Sequence, residues 1–252
     1  NKMYAIHAGK AALNAHYKRI GWNARAQEGA VDGWYQTKFT LKEEPLVSIL
    51  IPNKDHTDDL DVCLNSFFER ADYQNYEFII IENNSVLPET FAYYEKIEKE
   101  HDNVKVVYWE AGFNYSAINN FGFKFAKGDY IMLLNNDVEL ITSDIFQSML
   151  GFCMRPEVGI VGAKLLYNDH TVQHAGVLVG AGGLADHVFK GIHEDDPGYM
   201  GRAISSQDVS AVTAACLLVK RSVYEEVGGL EDEFQVAFND VDFCLKVRKA
   251  GY

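Results

Sequence analysis

No apolar run in the 252-residue chain approaches the roughly 18 residues that a helix needs to cross a bilayer. Basic residues are scarce: 23 Lys and Arg stand against 36 Asp and Glu, a formal net charge of −13. Proteins that grip long nucleic acid by its phosphates carry the opposite balance, so a nucleic-acid partner is not expected. For the same reason an anionic small ligand would need help, most simply from a bound cation. Only four cysteines are present, Cys63, Cys153, Cys216 and Cys244, far apart and set among apolar neighbours as in AACLLV. None forms a CxxC pair, so zinc-finger spacing is absent and reduced core thiols in a cytoplasmic protein are expected. Internal repeats and low-complexity tracts are missing too.

What is present is the material of a core. Apolar residues make up 48% of the chain and aromatics 13%, enough for a sizeable interior in one large α/β domain or one domain with an appendage. Residues 1–40 stand apart. AIHAGKAALNAHYKRIGW has helical apolar spacing and GWYQTKF resembles a short strand, so this reads as a flanking segment ahead of a main domain over 41–252. Its helix is the most basic stretch, with Lys10, Lys18, Arg19 and Arg25. Such a helix could touch an anionic membrane surface, but its Ala-rich, weakly amphipathic face favours packing on a neighbouring domain.

From Pro45 the pattern is regular. LVSILIP (46–52), YEFIIIE (76–82), VKVVYW (104–109) and YIMLL (130–134) are strand-like runs apolar enough to be covered on both faces. Between them lie helical stretches: 57–70 behind the plausible caps Asp55 and Thr57, 88–101 opened by Pro88, and 115–128 closed by Gly128. This alternation predicts an α/β fold with a mostly parallel central sheet flanked by helices. The second half is less regular, with strand-like runs at 158–167, 176–181 and 209–219, a Gly- and Asp-rich stretch over 180–201, and helices at 221–227 and 239–250.

In open α/β sheets ligands bind beyond the carboxyl ends of the strands. Here those ends read Pro52-Asn53-Lys54-Asp55, Glu82-Asn83-Asn84-Ser85 and Asn135-Asn136-Asp137. Asn and Asp are also ordinary turn residues, yet three such clusters on one rim favour a site. Mg²⁺ and Mn²⁺ prefer carboxylate, amide and water oxygens and leave room for substrate phosphates. Asp137 with Asn135 offers a half-shell of that kind, which a nucleotide diphosphate would complete.

Four blocks, VSILIPNKD, IIIENNS, NYSAINNFGFKFAKGDYIMLLNNDVEL and GGLEDEFQVAFNDVDFCLKVRKAGY, occur in the order and spacing of a glycosyltransferase of family 2, and the resemblance covers about Pro45 to Tyr252. It implies a GT-A fold, the nucleotide-diphospho-sugar transferase architecture. It also implies a metal-dependent, inverting transfer from a UDP-type donor to a saccharide or lipid-linked acceptor, as in bacterial cell-surface polysaccharide synthesis. Position by position, it puts Glu82 where the family usually has an Asp that reads the uracil ring. Pro52, Asn53, Asp55, Asn84, Asn120 and Asn136 fall around the nucleotide sugar. NND at 135–137 resembles the metal-binding DxD motif, so Asp137 and Asn135 would hold Mn²⁺ or Mg²⁺. In FNDVDF, Asn239 stands where relatives usually have Glu, and Asp240 matches the catalytic base. Relatives commonly carry a further metal-ligating His just beyond the point where this chain stops. Together with the start at Asn1, this suggests a piece of a longer protein.

The chemistry behind the Asp240 expectation is simple. An inverting transfer needs one carboxylate opposite the departing diphosphate, to take the proton of the attacking hydroxyl. The competing account is capping, because Asp240 and Asp242 sit where carboxylates favour a helix dipole. Both can hold together. The G-x-G-x-x-A at Gly180, Gly182 and Ala185 hints at a dinucleotide fingerprint, but no crossover helix follows it. Those glycines fit a loop over substrate, in which His187 or Lys190 would meet the diphosphate or acceptor. His174 and His187 also fit structural roles. Two rivals stay open: a sugar-phosphate nucleotidyltransferase, disfavoured by the acidic, Gly-free PNKDHTDD, and a non-catalytic nucleotide-sugar-binding or scaffold domain.

Overall fold

The computed structural model describes residues 3–29 and 31–252. Helix α1 (Met3–Arg19) leads into an antiparallel hairpin of β1 (Ala24–Glu28) and β2 (Tyr35–Phe39). The helix is tied to the hairpin by polar groups rather than by a wide apolar face. Tyr17, its one buried residue, meets Thr37 Oγ1 at 2.8 Å, Asn14 accepts the Ala26 amide, and Tyr35 donates to the Ile6 carbonyl.

The main domain follows as β3 (Val47–Asn53), α2 (Thr57–Arg70), β4 (Tyr76–Glu82), α3 (Pro88–Glu100), β5 (Val104–Tyr108), α4 (Tyr115–Phe123), β6 (Tyr130–Leu134) and α5 (Ile145–Cys153). Short strands come next: β7 (Ile160–Gly162), β8 (Leu165–Leu166), β9 (Val172–His174), β10 (Val177–Val179) and β11 (Ala185–His187). The chain closes with β12 (Cys216–Lys220), α6 (Arg221–Glu226) and α7 (Asn239–Lys249). The N-terminal segment docks on α5: Phe39 stacks edge-on with Phe152 at 4.8 Å, and Lys38 pairs with Asp144 at 2.6 Å.

The central sheet has six strands in the order β5-β4-β3-β6-β12-β7. The first four run parallel, as their continuous apolar runs predict, and β12 is antiparallel to both its neighbours. Alternation along β3 sorts the two cores. Val47, Ile49 and Ile51 face the layer of α2, α3 and α5, while Leu50 faces that of α4 and α7. Each such fully buried aliphatic side chain contributes about 1.5–3 kcal/mol relative to exposure.

Four local expectations need correction. Helix α4 ends at Phe123 rather than at Gly128, and Gly128 is a close-approach position, where a Cβ would lie 2.4 Å from the Leu46 carbonyl. The run 158–167 is not one strand: it leaves the central sheet after Gly162 and pairs again as β8 against β9. Of 209–219 only the end from Cys216 is strand; Val212 crosses Gly162 too closely for any Cβ there. Asp55 does not cap α2, whose N-cap His56 has left-handed backbone and no side-chain cap bond; it serves α3 instead. All four cysteines are free and buried, and burial lifts the thiols of Cys153, Cys216 and Cys244 to about 12.

Candidate active site

The carboxyl ends of β3, β4 and β6 are joined by a buried chain of side-chain hydrogen bonds. Asn53, 2% exposed, ends β3. Its amide nitrogen donates to Tyr94 Oη and to the Asp55 carbonyl, both at 2.8 Å. Its amide oxygen accepts from Asn136 Nδ2 at 2.6 Å, just past β6. Tyr94 of α3 donates in turn to Glu82 Oε2 at 2.8 Å, and Glu82 also accepts the amide and hydroxyl of Ser85. Burial raises the Tyr94 phenol well above its ordinary range, so it remains a donor. Ser85 enters the sequence reading only as the last residue of the Glu82–Ser85 cluster, and Tyr94 is absent from it because its helical spacing looks like plain core.

Glu82 is 3% exposed, and its carboxylate faces these partners rather than solvent. Asp55 has a positive φ of 52° and accepts the amides of Val86 and Leu87 and the hydroxyl of Thr90, each at 3.1 Å. It is thus a through-space cap for α3, whose own N-cap Leu87 has no side-chain bond. Burial pushes the Asp55 carboxyl up, but those amide and hydroxyl bonds, with Lys54 nearby, leave it below the ordinary value. Asn84, also with positive φ, is exposed and donates to the Ala111 carbonyl at 2.7 Å. Pro52 is half-buried and precedes Asn53 at the end of β3.

Beyond β6 the polar residues divide. Glu139 turns away into an ion pair with Arg70 at 2.8 Å. Asp137 is exposed, and among the described residues neither its carboxylate nor the Asn135 side chain makes a side-chain hydrogen bond. No cluster of three or more His, Cys, Asp or Glu able to hold a metal ion occurs among the described residues. The donor set is therefore one free carboxylate with an adjacent amide. That suits a hard cation which takes most of its shell from water and phosphate oxygens.

Two further polar residues lie on α4 and α7. Asn120 uses its whole amide on protein: it donates to the Leu230 carbonyl and Asp232, and accepts from Tyr224 Oη and the Leu230 amide. It fastens α4 to the Gly228-Gly229-Leu230 turn, where a Cβ on Gly229 would meet Asn120 Oδ1 at 2.5 Å. Asp240, in the first turn of α7, accepts the Ala214 amide on Oδ2 at 3.2 Å and its neighbour Val241's amide on Oδ1 at 2.8 Å. The next residue along, Ala215, accepts the Asn135 amide at 3.1 Å. Asp240 and the 135–137 cluster therefore hang on adjacent residues of one backbone strip.

Asp240 lines a cavity of about 330 Å³ together with Phe238, Asn239, Asp186 and His187. His187 and Asp240 thus share one cavity. Lys190 is exposed and does not line that cavity. His174, 1% exposed, lies behind His187 with the two Nδ1 atoms 2.9 Å apart.

A family model described as Glycosyl transferase family 2 matches residues 48–228. Among curated relatives, "Uncharacterized protein y4gI" of Sinorhizobium fredii is 42% identical over all of this chain, which covers 28% of that relative. "O-antigen biosynthesis protein RfbC" of Myxococcus xanthus is 37% identical over 98% of the chain, which covers 19% of it. The chain thus spans under a third of the length of either. Among solved structures, the mannosyltransferase PcManGT from Pyrobaculum calidifontis, in complex with GDP-Man and Mn²⁺, superposes with a TM-score of 0.64 at 13% identity, over 99% of this chain and 62% of that one. Residues 1–349 of S. aureus TarS in complex with UDP-GlcNAc give 0.56 at 15% identity, over 80% and 52%. These neighbours have the GT-A fold, and the α/β architecture described above is that fold.

Proposed function

The chain belongs to glycosyltransferase family 2, and on that premise we propose that it carries out metal-dependent, inverting transfer of a sugar from a nucleotide-diphosphate donor, of UDP type as the sequence resemblance implies, to a saccharide or lipid-linked acceptor. The name of the Myxococcus xanthus relative supports a place in cell-surface polysaccharide synthesis, with the reaction on the cytoplasmic side. No helix among the described residues is long and apolar enough to cross a membrane. The segment 1–40 is a flanking element of the transferase domain.

One observation carries the reading. The backbone of Asn135, two residues before the free carboxylate of Asp137, and the carboxylate of Asp240, which lines the cavity, are held by adjacent residues, Ala215 and Ala214. A donor diphosphate beside Asp137 would leave its sugar pointing toward Asp240. Asp240 takes the proton from the acceptor hydroxyl as that oxygen attacks the anomeric carbon from the face opposite the diphosphate. The carbon gains oxocarbenium character as its bond to the phosphate oxygen breaks. Asp137 and Asn135 would hold Mn²⁺ or Mg²⁺, which would neutralise charge on the leaving diphosphate. Asn53, Glu82, Asp55 and Asn120 form the inner frame of the donor site, and Pro52, Asn84 and Asn136 form its surface.

The test is release of nucleoside diphosphate from a panel of nucleotide sugars, with and without Mn²⁺ and a saccharide acceptor. Metal-dependent turnover supports the reading. Binding without turnover by the full-length protein would favour a non-catalytic sugar-nucleotide domain, for which Asn at 135 and 239 speaks.

A further inference from the structure

The cavity beside Asp240 holds a second feature, which the transfer reading leaves unused. His174 Nε2 lies 3.3 Å from the Thr213 amide, which donates to it. A ring nitrogen that accepts carries no proton, so the proton of neutral His174 is on Nδ1. Nδ1 is 2.9 Å from His187 Nδ1, and only one of two facing nitrogens can be protonated. His174 therefore donates and His187 accepts, which leaves the His187 proton on Nε2. That is the one polar atom of the His187 ring free for a ligand. Burial first, and the charge His187 would carry second, depress His174 to about 4 and keep it neutral.

We propose that His187 is a neutral hydrogen-bond donor to the acceptor saccharide, and that His174 is the positioning residue that fixes its tautomer. The assignment rests on Asp240 being the base of the same cavity. A fixed N–H and a carboxylate on residues that line one cavity suit two neighbouring oxygens of one hydroxylated ligand: the attacking hydroxyl at Asp240 and the adjacent oxygen at His187. It does not suit a diphosphate, which would call for a cation. Charging His187 would need a proton on Nδ1, and that would break the bond to His174 or force its Nε2–H against the Thr213 amide. The other titratable groups at the cavity are Asp186, whose Oδ1 accepts the His187 backbone amide at 2.7 Å, and Asp240 itself.

Two measurements decide it. In the first, the full chain is labelled with ¹⁵N-histidine and long-range ¹H–¹⁵N correlations are read at neutral pH. The expected result is His174 protonated on Nδ1 and His187 on Nε2; His187 protonated on Nδ1 overturns the proposal whether or not transfer is observed. In the second, the probe is the methyl hexopyranoside that best supports nucleoside diphosphate release by the wild type. His187→Ala should lower kcat/KM for that glycoside about tenfold or more, the loss of one hydrogen-bond donor, and leave the donor KM unchanged. His187→Gln, which restores an N–H near Nε2, should recover most of it. Equal losses in His187→Ala and His187→Gln, or a raised donor KM, would refute an acceptor role. A wild type that turns over no glycoside would instead count against Asp240 as base, and the tautomer measurement would still judge the histidine pair.

Discussion

The backbone amide of Ala214 donates to Asp240 Oδ2 at 3.2 Å, a bond between residues 26 apart in sequence. With Val241's amide on the other oxygen, it aims the carboxylate without enclosing it, since Asp240 still lines the cavity. Position and chemistry can therefore be separated. Asp240→Asn keeps an oxygen for the Ala214 amide, gives up the acceptor of Val241's amide and cannot take a proton. Transfer should fall by about 10²–10⁴, far more than the loss of one hydrogen bond, about 0.5–1.5 kcal/mol of stability, accounts for, and UDP with Mn²⁺ should still bind. An Asn variant that retains most of the wild-type kcat would remove Asp240 from the mechanism.

Asp137 gives the converse case. It is exposed and bonded to no described side chain, so Asp137→Ala should change the stability of the ligand-free protein by no more than about 0.5 kcal/mol. The stabilisation that Mn²⁺ plus UDP adds should disappear; at a hundredfold excess over Kd that is about 2.7 kcal/mol. Thermal melts with Mn²⁺ alone, UDP alone and both together separate metal from nucleotide. A variant still stabilised as strongly as wild type would place the ion elsewhere.

These residues differ in how far the sequence announces them. β3, α2, β4 and β6 are legible because their signals are local: unbroken apolar runs such as YIMLL, or Leu60, Cys63, Leu64 and Phe67 at helical spacing. The polar rim is legible for the same reason, since it sits where those runs end. Partnerships through space are not. Asp55 reads as a cap for the helix that follows it, yet its carboxylate reaches Val86 and Leu87, 31 and 32 residues on. The apolar run 158–167 gives no sign that it serves two sheets, because leaving the first depends on Val212 crossing at Gly162. Helix α5 and strand β1 go unread. Glu82 and Asn120 are found by motif, but only the fold reveals that their polar atoms are turned onto protein.

Tyr94 links the rim's two inner polar groups. Tyr94→Phe removes a donor to buried Glu82 and an acceptor for Asn53 with almost no change in volume. It should lower the unfolding free energy by about 1–3 kcal/mol and raise the donor KM, because Asn53 also holds Asn136 beside the 135–137 cluster. Tyr93→Phe is the control: its hydroxyl meets Asp61 of α2 at 3.1 Å and is not part of the chain that joins Asn53 and Glu82. Urea denaturation should show a clear drop in midpoint for Tyr94→Phe and a smaller one for Tyr93→Phe. Equal drops would mean that the buried chain adds nothing beyond an ordinary tyrosine bond.

His174 makes stability depend on pH in a calculable direction. Its pKa falls from an ordinary 6.5 to about 4 in the folded protein, through burial first and repulsion by His187 second. Between those values the unfolded chain binds a proton at this position that the folded chain does not, so stability rises with pH. The contribution is complete above pH 6.5 and is lost progressively as pH falls toward 4, on the order of 3 kcal/mol across the window. His174→Asn offers an amide N–H near the place of Nδ1 and has no titration there. Its ligand-free unfolding free energy should be lower than wild type at pH 7.5, since the Thr213 amide loses its acceptor, and should decline less steeply between pH 6.5 and 4.5. Parallel pH profiles for wild type and His174→Asn would show that His174 takes up a proton without cost, and with it the fixed tautomer at His187 would go.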